Sequence, residues 1–317
     1  MEVEKIIGEL NDLYDSLPNL VTDRQRVKDF DHLENIVNGT LSSVPICSQF
    51  IEWDDKDLYP YYFLLKFNIA VNLRRYDCIC GSLKGEFLYR WKINRVSDLD
   101  LFILLLWKQN MFTSFSATTL FLKGFTFQTV QLLRTYIESN SILLLALIDY
   151  DFLSDFMSSK YSDEEYNKIW FKKLKPSQVT SLLKKLKIDM DARRKKHNAF
   201  SPNILDLEIH TSEFIQNFYS TSSDYVHFNK KSLLSDSFSK SNNGFSIGLL
   251  NKHDDGKRQL LVNMIEIFSY NSDVLEKALQ IHGKIFPGNS IVNDLSYIHS
   301  NLAINLTFRG LYAFAKQ

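Results

Sequence analysis

A chain of 317 residues is long enough to bury a substantial core, as one large domain or two ordinary ones. Apolar residues make up 45% and charged residues 23%, which excludes a disordered chain, and only 11 Gly and 6 Pro leave little turn chemistry and point to long helices. The net charge is zero, with 37 basic and 37 acidic residues, so the field of the whole molecule neither selects nor excludes a polyanionic partner.

The opening MEVEKIIGELNDLY is acidic and amphipathic. It lacks the basic start, apolar run and small-residue cleavage site of a secretory leader, so a cytoplasmic protein is expected. Val3, Ile6, Ile7, Leu10, Leu13, Tyr14 and Leu17 recur at spacings of three and four and predict a helix that Pro18 ends. Val27, Phe30, Leu33, Ile36 and Val37 continue the pattern in a second helix, which Asn38-Gly39 can close with a left-handed cap. Thr40 to Asp57 has no clean period and reads as a connector. The expected organisation is an acidic helical hairpin and connector over 1–57, followed by a main helical domain over 58–317.

Leu58 to Tyr76 and Leu99 to Trp107 are apolar almost all round, which predicts centrally buried helices. Thr126 to Met157 is the longest continuous helical pattern, set off by Lys123-Gly124. Ser162-Asp-Glu-Glu165 is a capping box. A further helix is expected from about Leu205 to Phe218, with Ser220 to Ser223 as a small polar break after it. Asn-Gly and Asp-Gly turn signals fall within 239–256, the one place where a small β-hairpin is expected. Leu260 to Ile285 and Ile291 to Phe314 read as closing helices. The predicted class is therefore an all-α multi-helix bundle with at most that hairpin. The strongest apolar runs, Leu101 to Trp107 and Ile142 to Ile148, are seven residues each, against the roughly 20 that a membrane span needs.

Charge is unevenly spread. Residues 1–60 hold thirteen acidic and five basic residues, a balance of −8, whereas Lys168 to His197 holds eleven basic residues against Asp189 and Asp191, a balance of +9. Lys184, Lys185, Arg193, Arg194, Lys195 and Lys196 are the candidate nucleic-acid-binding residues of that segment, where each neutralised phosphate adds salt-dependent affinity. The three cysteines, Cys47, Cys78 and Cys80, are read as reduced thiols. No Cys/His pair completes a four-ligand zinc site around Cys78 and Cys80, so neither metal nor cofactor is expected.

Phosphate-loop, nucleophile-elbow, zincin and dinucleotide signatures are absent from the sequence. Two stretches carry chemistry instead. Arg134 and Glu138 lie four apart on one strongly apolar helix and so share a face, where they are expected to be mostly buried and paired. Downstream, Tyr219-Ser-Thr-Ser-Ser-Asp-Tyr-Val-His-Phe-Asn229 gathers Asp224, Tyr225 and His227, a carboxylate, a phenol and an imidazole able to exchange protons near neutral pH. Arg134, Glu138, Tyr225 and His227 are the candidate catalytic residues.

The order of these features resembles bacterial all-helical families related to the HEPN (higher eukaryotes and prokaryotes nucleotide-binding) superfamily. They are a long helix with an internal R-x-x-x-E, a later S-x-Y-V-H element, then a turn-rich insertion before closing helices. The resemblance covers roughly residues 60–285 and implies a HEPN-like helical core. Many members of that superfamily are dimeric, metal-independent ribonucleases of toxin or phage-defence systems, with an Arg and a His separated by four to six residues. This chain departs from the pattern, because positions 220–222 are Ser, Thr and Ser, and Arg193 and Arg194 stand too close to His197.

Three functions follow as expectations. The first is a helical interaction or regulatory protein, tied to antiviral defence or a toxin system, with a protein partner or a second copy of itself and with RNA contact through 168–197. The second is a metal-independent ribonuclease or nucleotide-acting enzyme with a degenerate Arg/His motif. The third is a helical adaptor without a ligand site. No membrane association is expected under any of them.

Overall fold

Few chain breakers and long apolar periods give an all-α fold, with one hairpin among the described residues. The computed structural model describes residues 30–50, 58–59, 61–73, 76, 98–148, 152, 156, 162–175, 177–178, 181, 210–226, 238–241, 244–247 and 256–269. The helix expected to end at Pro18, the segment 184–196, His227 and the last closing helix lie outside these residues. The chain divides into two compact units, 1–96 with 254–317, and 97–253, so residues on both sides of position 57 fall in the first.

In the first unit, α1 spans Phe30–Ser42, a 3-10 turn spans Pro45–Phe50, residues 61–73 form α2 and residues 256–269 form α7. The α1 helix does not stop at Asn38-Gly39 as expected. One further turn places Leu41, four residues after Val37, on the buried stripe with Leu33, and that burial outweighs the cap. The expected connector is likewise part of the packing, since Cys47 and Phe50 of the 3-10 turn are fully buried. Burial pushes the Cys47 thiol up to about 12, so it stays protonated at neutral pH. The all-round apolar sequence of α2 has the expected outcome, with every described residue from Tyr61 to Val71 buried. Asn68 of α2 donates to Ser269 of α7, and Arg258 Nη2 donates to the Tyr61 hydroxyl at 2.5 Å. The starts of the two helices thus meet, as do positions further along each, and they run in the same direction.

Glu266 on α7 is partly buried, and desolvation raises its carboxyl from an ordinary 4.5 to about 7. The folded state therefore binds a proton more tightly than the unfolded chain between those values. Its contribution is fully present below pH 4.5 and is lost as pH rises through 7. Urea midpoints measured across that window should fall with pH, and Glu266→Gln should flatten the dependence. An equal slope in the variant would assign it to another group.

In the second unit, α3 spans Asp98–Leu122, α4 Thr126–Ile148, α5 Asp163–Ile169 and α6 His210–Val226. A π-helical turn, Trp170–Leu174, continues α5. Gly124 takes φ 80°, and its N–H and that of Phe125 bond the Phe121 and Leu120 carbonyls at 2.9 and 2.8 Å. These bonds satisfy the end of α3 and turn the chain back, so α3 and α4 pack antiparallel. Thr129 opposite Ala117 and Ser139 opposite Asn110 fix their register. The buried picture of Leu99 to Trp107 needs correction, because Leu105 is 56% exposed and faces outward on α3. The capping box forms as expected, with Ser162 N bonded to Glu165 Oε2 and Glu165 N to Ser162 Oγ. Phe238–Ser241 (β1) and Gly244–Ile247 (β2) pair antiparallel, with Ser241 opposite Gly244, starting one residue before the region 239–256 where a hairpin is expected. Among the described residues, no helix is long and apolar enough to cross a membrane.

Candidate functional site

The α4 helix presents Arg134 and Glu138 one turn apart toward α6. Arg134 Nε donates to Glu138 Oε1 at 3.2 Å, and Arg134 Nη2 donates to the Tyr219 hydroxyl at 2.9 Å. That hydroxyl in turn donates to Glu138 Oε1, which closes a ring of three polar groups. The guanidinium carbon also stands 4.2 Å from the centre of the Tyr219 ring. The side chains of Arg134 and Glu138 are 17% and 30% exposed, so the pair is mostly buried, as expected, with the Glu138 carboxylate still in reach of solvent.

Tyr219 reaches this position because Ile215, Phe218 and Ser222 form the buried stripe of α6 beside it. Its phenol is pushed up to about 12, first by burial and then by the bond and charge of Glu138, with Arg134 pulling the other way. At neutral pH it is a hydrogen-bond donor and not a base.

The polar break expected at Ser220 to Ser223 does not form. Thr221 Oγ1 bonds back to the Asn217 and Phe218 carbonyls at 2.9 and 3.1 Å, and Ser222 Oγ to that of Tyr219 at 2.9 Å. The hydroxyls are thereby satisfied within the helix, and α6 runs on to Val226. Tyr225 consequently belongs to the last turn of α6 and not to a loop. Of the four candidate catalytic residues, Arg134 and Glu138 are brought together, Tyr225 is placed by its backbone alone, and His227 lies outside the described residues. The candidate nucleic-acid-binding residues Lys184, Lys185, Arg193, Arg194, Lys195 and Lys196 also lie outside them.

A second polar cluster, in the first unit, was missed by reading α2 as uniformly apolar. Lys66 is 1% exposed, and its ammonium donates to Glu34 Oε1 at 3.3 Å and Asn38 Oδ1 at 3.2 Å. The rings of Tyr62 and Tyr59 lie 5.6 and 6.0 Å from it, and the Tyr59 hydroxyl donates to the same Glu34 oxygen at 2.5 Å. Burial lowers the Lys66 pKa, while the neighbouring Glu34 charge opposes that shift. The signal available in the sequence was a lone Lys inside Tyr61-Tyr-Phe-Leu-Leu-Lys-Phe-Asn68, because a buried charge implies a partner.

Among the described residues, no group of three or more His, Cys, Asp or Glu stands close enough to hold a metal ion. The chain matches no protein-family model, curated protein or solved structure, so the chemistry of these two clusters is what bears on its function.

Proposed function

We propose that this is a helical interaction or regulatory protein on a HEPN-like scaffold, acting in the cytoplasm in a bacterial phage-defence or toxin-related system. The observation that carries the reading is the use made of Arg134. Phosphodiester cleavage would need its guanidinium to meet the charge developing on phosphate. Here its Nε and Nη2 are given to Glu138 and Tyr219, and the Glu138 carboxylate beside them repels an anion. Such a ring ties α4 to α6 and keeps a surface in shape for a protein partner or a second copy. The basic segment 168–197 adds affinity for RNA without turnover.

Incubating the purified chain with single-stranded RNA and with nucleoside triphosphates tests this. The expected outcome is no product from either substrate. RNA fragments that appear with the native chain and vanish with His227→Ala would replace the proposal with the metal-independent ribonuclease reading.

A further inference from the structure

The π-helical turn Trp170–Leu174 divides the lysines around it into two sets. Leu174 is 1% exposed and packs with Leu145 and Phe152, joined by the partly buried Ile169. Lys173 turns the same way and lays its ammonium 5.6 Å from the centre of the Phe152 ring. Lys168, Lys172 and Lys175 are exposed, one before the π turn, one within it and one just after it. None of these three ammonium groups has an acidic partner among the described residues. Glu165, three residues before Lys168, is bonded to Ser162 in the capping box. Three exposed cations with no acidic partner among the described residues therefore stand at the head of the segment whose balance is +9.

We propose that Lys168, Lys172 and Lys175 form a docking face for single-stranded nucleic acid. This rests on the interaction reading and deepens it by naming the surface and the chemistry of the partner. A phosphate backbone fits a set of exposed ammonium groups, since each contact releases a condensed counterion. The turn that bears the lysines also carries Trp170 and Phe171 in its sequence, residue types on which unpaired bases stack. Inserting a π turn sets the phase of the lysines, because its bonds reach five residues back and not four.

Fluorescence anisotropy with a labelled oligouridylate, read across a salt series, tests the proposal on the full chain. The native protein should bind at low salt. A Lys168→Ala, Lys172→Ala, Lys175→Ala variant, with its fold checked by circular dichroism, should flatten the slope of log affinity against log salt by about 2, three contacts' worth. Lys173→Ala should leave the slope unchanged, because that lysine faces Phe152. No binding by the native chain, or a triple variant with the native slope, overturns the proposal. So does association with polyglutamate in place of the oligonucleotide. Cleavage of the bound oligonucleotide would defeat the interaction reading and leave the docking face standing, so the two failures are distinct.

Discussion

Glu34→Ala should destabilise the first unit by about 3 kcal/mol, near the low end of what stranding a buried charge costs. Lys66 has almost no contact with water, and Glu34 is its ion-pair partner. Asn38 and the faces of Tyr59 and Tyr62 remain to it in the variant, which keeps the loss from the upper end of the range. A Glu34→Gln, Lys66→Met double variant removes both charges and fills the volume, and it should recover most of the loss. Urea midpoints followed by helical circular dichroism read both effects. An unchanged midpoint for Glu34→Ala would show that the ammonium gains nothing from that carboxylate.

The Arg134, Glu138 and Tyr219 ring should give a smaller but coupled response. Glu138→Ala should cost about 2 kcal/mol, less than a sealed ion pair, because nearly a third of the Glu138 side chain is exposed and solvent screens the charge left behind. Tyr219→Phe removes one hydroxyl that both donates and accepts, and should cost about 1 kcal/mol while leaving the ring under the guanidinium. The double variant should lose about 1 kcal/mol less than the separate losses predict, since both changes break the same ring. Strict additivity would mean that the three groups act independently.

Features written in local chemistry were legible in the sequence. Lys123-Gly124 marks the turn between α3 and α4 because a positive φ favours glycine, and Ser162 with Glu165 spells a capping box that forms as written. The four-residue spacing of Arg134 and Glu138 gave their pairing on one helix face, and their third partner came from the stretch already singled out for its polar groups. What was not legible depends on neighbours distant in sequence. Ser220 to Ser223 reads as a break by composition, yet the buried stripe through Ile215, Phe218 and Ser222 carries the helix across it. Asn38-Gly39 reads as a cap, yet burying Leu41 prolongs α1 by a turn. Lys66 was absorbed into an apolar run because its partners, Glu34 and Asn38, lie about thirty residues earlier. Leu105 faces outward although the run around it is uniformly apolar, and periodicity cannot pick one exposed side from such a run.

On the proposed reading, Arg134 is a structural tie and not a group held for phosphate chemistry. Arg134→Ala tests it by reading the same preparation twice, once for melting temperature and once for cleavage of single-stranded RNA. The variant should melt several degrees below the native chain, in proportion to a loss of about 2 kcal/mol, and neither protein should cleave RNA. A native chain that cleaves RNA, and a variant that has lost the cleavage while keeping the native melting temperature, would contradict it.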